Sequence, residues 1–134
     1  MLSKKTQYAF KALMYMAQVE KEGPILIAEI ARKKNIPIKF LENILLELKN
    51  MGVLDSKKGK GGGYFFKERP KNITLAKVMR KLDGPIALLP CVSLNFYEPC
   101  KNCDEGDCKL RDTLILVRDA TLKILEKKTV ADLV

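Results

Sequence analysis

The sequence predicts a mainly α-helical fold with one small β-hairpin, and three stretches carry that prediction. Between Leu26 and Met51 a short helical pattern, a tight turn and a longer helical pattern follow one another. Between Val53 and Phe66 a glycine-rich basic turn joins two short apolar runs. From Leu110 to Leu125 runs a long, strongly apolar helical pattern, just after a loop that holds all four cysteines. The chain has 134 residues, 47% of them hydrophobic, which suits one domain, or one small domain with an appendage.

Taken in order, Lys4 to Val19 reads as the first helix. Tyr8, Ala9, Ala12, Leu13, Met16 and Ala17 repeat at helical spacing on one face. Ser3 is placed to cap it, and Gly23-Pro24 stops it. Leu26 to Lys34 is a short second helix with Ile27, Ile30 and Ala31 inward, and Asn35-Ile36-Pro37 turns the chain. Ile38 to Met51 is the third, with Leu41, Ile44, Leu45 and Leu48 as its core stripe and Gly52 as the residue that ends it. Short helix, turn, longer helix is the helix-turn-helix pattern, whose second helix enters the DNA major groove. Lys39, Phe40, Glu42 and Asn43 lie on the outward side of its first turns. Lys can donate to guanine, Asn can pair with adenine, Glu can accept from cytosine, and Phe can touch a thymine methyl. The ordinary alternative is a set of solvated residues, with Phe40 in the core.

Val53 to Ser56 and Tyr64 to Phe66 read as two strands joined by Lys57 to Gly63. Lys57, Lys58 and Lys60 supply the charge that phosphate binding needs. Gly59, Gly61, Gly62 and Gly63 let the backbone take positive φ and approach a phosphate closely, with Gly62 singled out as a contact. No nucleotide-binding glycine loop is present. A hairpin directly after a helix-turn-helix is a DNA-contacting wing. Charge agrees: residues 1–83 hold 18 Lys/Arg and 8 Asp/Glu, a balance of +10, whereas residues 84–134 hold 7 and 8, a balance of −1. The basic part suits a polyanion and the neutral part another task. Thr74 caps a fourth helix, Leu75 to Leu82, ended by Asp83-Gly84-Pro85.

The stretch Gly84 to Cys108 has little periodicity, and loops that long are uncommon unless pinned or functional. Cys91, Cys100, Cys103 and Cys108 all lie in it, spaced C-x8-C-x2-C-x4-C, and Pro99 and Gly106 help it fold back. Thiolates are soft metal ligands and nucleophiles. A zinc site, an iron–sulfur cluster or a disulfide pair all fit that spacing. A polar, basic N-terminus without an apolar signal segment points to the cytoplasm, which disfavours disulfides. No apolar run approaches the roughly 18 residues that span a bilayer. Histidine is absent, so imidazole catalysis and ligation are excluded, and no acid/base pair is recognisable; an enzyme is not expected. In the last long helix Leu110, Leu114, Val117, Thr121 and Ile124 form a seam, and Ile115, Leu116, Leu122 and Leu125 widen it. So much apolar surface implies burial on more than one side, as in a dimer helix packed on a DNA-binding domain; a monomer's core helix is the alternative. Thr129 to Val134 closes the chain as a short capped turn.

With these residues in place the chain resembles the IscR/NsrR group of winged-helix transcription regulators, the Rrf2 family. The marks are Tyr8-Ala9, Ile30-Ala31, Ile36-Pro37, Phe40-Leu41-Glu42, Gly61-Gly62-Gly63-Tyr64, Ile73-Thr74-Leu75, the cysteine loop and Thr129-Val130-Ala131-Asp132-Leu133. The resemblance covers nearly the whole chain. It implies a homodimer that reads a palindromic operator in double-stranded DNA, with an iron–sulfur cluster (2Fe-2S or 4Fe-4S) in the loop near the long helix, though some members carry none. By position, Lys39, Phe40, Glu42 and Lys58 match the family's DNA-reading residues, and Cys91 and Cys108 match its first and last cysteine ligands. Cys100 or Cys103 would be the middle one. Two departures stand out. Arg111 occupies the place where some members have a ligating histidine, and Gln7 is the nearest match to an acidic ligand from the partner's first helix. The extra cysteine could complete an all-thiolate site.

The expected organisation is therefore a winged helix-turn-helix DNA-binding domain over 1–83, a cysteine-containing sensor loop over 84–109, and a dimerisation helix with a tail over 110–134. The expected function is a transcription regulator, in the repressor mode, that senses iron–sulfur status, oxygen or nitric oxide. A zinc- or thiol-switched regulator without a cluster, or a zinc-stapled protein-interaction adaptor, are the alternatives.

Overall fold

The computed structural model describes residues 2–19 and 23–134. Met1, and residues 20–22 ahead of the predicted Gly23-Pro24 stop, lie outside the described residues. Five α-helices and a two-stranded antiparallel hairpin are present, in the order α1 (Lys4–Val19), α2 (Ile27–Lys34), α3 (Ile38–Asn50), β1 (Leu54–Lys57), β2 (Gly63–Phe66), α4 (Leu75–Asp83) and α5 (Lys109–Leu125). This is the predicted class, with boundaries moved by a residue. Leu26 stands outside α2 in extended backbone, and Lys57 ends a strand instead of starting the turn.

Local chemistry sets most of these ends. The Ser3 hydroxyl accepts from the Thr6 N–H at 3.2 Å and starts α1. Asn35 takes φ +53 and closes α2, with its N–H on the helix. Gly52, at φ +82, follows α3 where a left-handed residue is needed. The Thr74 hydroxyl accepts from the Lys77 N–H at 3.2 Å and caps α4.

Ala9, Ala12, Leu13 and Met16 of α1, Ile30 of α2, and Leu41, Ile44, Leu45 and Leu48 of α3 form one core with Val53, Leu54, Ile73, Val78 and Leu82. Two long-range pairings complete it. Ile25 and Tyr64 exchange N–H···O bonds at 2.8 Å in both directions, which fastens the segment before α2 to the hairpin. Thr74 bridges Thr129, the Val130 N–H donates to the Ile73 carbonyl at 2.9 Å, and Val130 is fully buried in the core. The chain end is thereby sewn back onto α4, and the Thr129 and Asp132 side chains cap its last turn reciprocally.

The segment 84–108 contains two short 3-10 turns, Pro90–Val92 and Glu105–Asp107, and is otherwise irregular. In α5 only Leu122 is buried. Leu110, Leu116, Val117 and Ile124 are exposed, Leu116 to 70%, so within one chain α5 is no core helix. No helix among the described residues is long and apolar enough to cross a membrane.

Candidate nucleic-acid interface and cysteine loop

Helix α3 buries Leu41, Ile44, Leu45 and Leu48, which turns Lys39, Phe40, Glu42 and Asn43 outward. All four are exposed. Phe40 is not in the core, but its ring does have a neighbour: it meets Tyr8 of α1 edge to face, centroids 5.6 Å apart at 83°. Burial first, then the nearby Glu42 charge, raises the Tyr64 hydroxyl pKa, so the outward side of α3 and strand β2 adjoin. The helix is braced at its far end, where Lys49 donates to Ser56 at 2.8 Å and Lys5 pairs with Glu47 at 3.0 Å.

At the hairpin tip Lys57, Lys58 and Lys60 are exposed, and none is ion-paired with another described residue. Their charge faces solvent, as phosphate binding requires. The tip glycines have intramolecular reasons to be glycine. Gly62 is buried and its N–H donates to the Gly59 carbonyl at 3.0 Å; a Cβ there would lie 2.3 Å from the Lys57 carbonyl oxygen. Gly63, at φ +140, leaves room for the Ile25 carbonyl, which a Cβ would meet at 2.3 Å. For Gly62, close approach is made to the turn's own backbone, where the sequence reading gave it to a phosphate.

In the cysteine loop Cys91 is buried in the first 3-10 turn, Cys100 and Cys103 are exposed, and Cys108 is half-buried at the start of α5. Cys108 caps that helix: its sulfur accepts from the Arg111 N–H at 3.3 Å. The Cys103 thiol is pushed up to about 11, first by Cys100 and then by Cys108 nearby. Cys103 thus feels both Cys100 and Cys108. A thiol raised in this way resists deprotonation, and a cation beside it removes that resistance. In kind, this donor set fits a thiolate-ligated metal centre. The ligands are not preassembled, since among the described residues no three His, Cys, Asp or Glu side chains converge on one point.

Sequence reasoning missed what holds the loop. Glu105 accepts from the Tyr97 hydroxyl at 2.6 Å and from the Cys100 N–H at 3.0 Å, and faces Arg111 Nε at 3.9 Å. Those bonds, the tyrosine's first, hold the Glu105 carboxyl below the usual carboxylate range. Arg118 donates to the Val92 carbonyl at 2.8 Å and ties the turn of Cys91 to the middle of α5. An acidic residue in an acidic loop carried no local signal that would single out Glu105. Tyr8 was read only as a member of an inward face, and its partners Phe40, Lys4 and Lys11 come from the fold.

Residues 2–134 match the family model for Rrf2, described as an iron-dependent transcriptional regulator. An rrf2-like regulator of the helix-turn-helix type from Rhodobacter capsulatus is 37% identical over 137 residues, covering 99% of this chain and 91% of that one. The regulator NsrR of Geobacillus kaustophilus is 29% identical, covering 98% of this chain and 88% of that one. Among solved structures the fold is similar to CymR, the global cysteine regulator of Bacillus subtilis. The TM-score is 0.81, with 28% identity, and the match covers 99% of this chain and 95% of that one.

Proposed function

The chain belongs to the Rrf2 family of DNA-binding transcription regulators, which are not enzymes, and from that membership we propose that it is a homodimeric repressor of a palindromic operator, switched by a thiolate-ligated iron–sulfur cluster. The proposal keeps the three-part division: a reading domain over 1–83, a sensor loop over 84–109, and a dimer helix with its tail over 110–134. Lys39, Phe40, Glu42 and Asn43 are the proposed base-contacting residues, and Lys57, Lys58 and Lys60 the phosphate-contacting ones, with Gly62 shaping the wing that presents them. The exposed apolar face of α5 (Leu110, Leu116, Val117, Ile124) supports pairing with a second copy.

The carrying observation is Cys108, which is both the last of the four cysteines and the N-cap of α5. Cys91 and Cys108, with Cys100 and Cys103, would hold the cluster. When bound, the cluster supplies a centre whose charge and integrity change with iron supply, oxygen or nitric oxide. The chain's own residues convert that change into shape. A sulfur that serves as a ligand caps α5 differently from a free thiol, and Arg118 carries movement of the Cys91 turn to the middle of the same helix. Reposing α5 shifts one α3 relative to its copy. Regulation follows only as far as DNA affinity differs between the two loop states.

The test begins with protein purified without oxygen, its visible spectrum and its iron, sulfide and zinc content. Matched iron and sulfide support the proposal. Cys91→Ala and Cys108→Ala should then change affinity for a duplex selected from a random pool; unchanged operator choice and affinity in both variants would remove the loop as sensor. A second reading, a thiol- or zinc-switched regulator, is favoured by the exposed, neighbouring Cys100 and Cys103. Colourless protein, with stoichiometric zinc or no metal, selects it.

A further inference from the structure

Helix α1 carries a stripe that the reading above does not use. Lys4, Tyr8, Lys11 and Tyr15 recur at spacings of four, three and four residues, on one side of the helix. The ammonium groups of Lys4 and Lys11 both stand over the Tyr8 ring, each 5.7 Å from its centre. The same arrangement repeats one element on. Lys34, in the last turn of α2, stands 5.8 Å over Tyr15, whose hydroxyl donates to Glu29 at 2.7 Å. Among the described residues none of these three lysines is in an ion pair, although Lys5 on the neighbouring side of α1 pairs with Glu47. Selective neutralisation beside selective exposure is informative. The three free charges lie along two tyrosine faces, and Tyr8 touches Phe40 in the first turn of α3.

We propose that Lys4, Lys11 and Lys34 form a second phosphate rail, gripping the DNA backbone on the α1 side of the groove that α3 enters, while the wing lysines grip the other side. The rail rests on the DNA-binding reading and extends it to α1 and the end of α2. Three features fit a phosphate backbone. The charges stand at Tyr8 and Tyr15, two turns apart on α1, none is ion-paired with an acid among the described residues, and each is held over an aromatic face. A lysine over a ring face keeps its charge and has fewer orientations to lose when it meets a phosphate. Tyr8 is the positioning residue: it holds two ammonium groups and fixes where the rail lies relative to Phe40. In helix-turn-helix proteins the helix ahead of the reading helix crosses the backbone. Here a further helix, α1, takes part, because its aromatic stripe touches the start of α3. The partner is recognised by charge alone, so the rail adds affinity for any duplex and no base preference.

The experiment is a salt titration of binding to a mixed-sequence fluorescent duplex, with full-length protein. Each phosphate contact contributes roughly 0.9 to the slope of log affinity against log salt. Lys4→Ala, Lys11→Ala and Lys34→Ala combined should flatten the slope by about 0.9 for each lysine per protomer, to the same extent on duplexes of unrelated sequence. Lys101→Ala with Lys127→Ala, two exposed lysines far along the chain, should leave the slope unchanged. Tyr8→Leu should weaken binding and Tyr8→Phe should restore it, since the ring and not the hydroxyl carries the lysines; circular dichroism of both variants checks that the fold is retained. A slope unchanged in the triple variant, with Lys58→Ala flattening it, overturns the rail and leaves the DNA reading intact. Wild-type protein without salt-dependent duplex binding overturns both.

Discussion

The reading domain and the cysteine loop with α5 are built on opposite terms. In the first, α1, α3 and α4 each bury several residues and the 8-residue α2 buries Ile30, with Leu13, Ile30, Leu41, Ile44, Leu45 and Leu48 wholly inside. In the second, a 17-residue helix buries a single leucine and the four thiols range from buried to exposed. The difference teaches how to separate what a chain does alone from what it does in company. The helix-turn-helix core, closed by Val130, satisfies its apolar surface within one chain. A region that leaves Leu110, Leu116 and Ile124 in water carries the face that the proposed dimer would cover.

Mutations that break the comparison differ in size. Leu45→Ala, in the finished core, should lower unfolding free energy by ~2–5 kcal/mol in urea denaturation, the usual span for deleting a buried leucine. Gly63→Ala should cost about 1–3 kcal/mol, because it combines a positive φ with a collision against the Ile25 carbonyl; the melting temperature reads it. Cys108→Ala should cost roughly 1 kcal/mol in metal-free protein, and Cys108→Ser should restore the loss, since a serine hydroxyl caps as well as or better than a thiol. Amide exchange at Arg111 and Asp112 is the local readout. Leu116→Ala should change the stability of a single chain by no more than about 0.5 kcal/mol, yet shift sedimentation toward the monomer. A Leu116 variant that destabilised the protein as much as Leu45→Ala, at a dilution where only monomer is present, would erase the distinction.

The smallest effect sharpens the comparison through pH. The Tyr97 and Cys100 bonds depress the Glu105 pKa in the folded loop. A depressed carboxylate contributes stability above its unfolded pKa and loses it as pH falls through the folded value. Acidification below the ordinary carboxylate range should therefore release the Tyr97 ring and the Cys100 amide, measured by their proton resonances, while the α1–α3 core stays intact. Glu105→Gln should make the loop insensitive to that change.

The sequence was legible where structure is local. Apolar spacing located all five helices and the hairpin, and Ser3, Thr74, Gly52 and Asn35 marked ends by their own chemistry. It was illegible where the cause is a distant partner. Nothing near Ile25 announces Tyr64, and nothing near Thr74 announces Thr129. The same holds at the candidate site. Exposure of Lys39, Glu42, Asn43 and the wing lysines follows from the helix and hairpin periods. The grouping of Cys103 with Cys100 and Cys108, the hub at Glu105 and the Tyr8–Phe40 contact depend on how an aperiodic loop and separate helices come to rest. Gly62 illustrates the limit: its type was informative, its reason was not.

The pairing of Val130 with Ile73 has a consequence for the order in which the protein is made. Part of the core beside α1 is supplied by a residue that follows the cysteine loop and α5 in the chain. Until it is made, Ile73 and the start of α4 lack a neighbour, and the core beside α1 is incomplete. Nascent chains therefore complete this shared core only after the cysteine loop and α5 have been synthesised, so the finished helix-turn-helix and the cysteine loop arrive together.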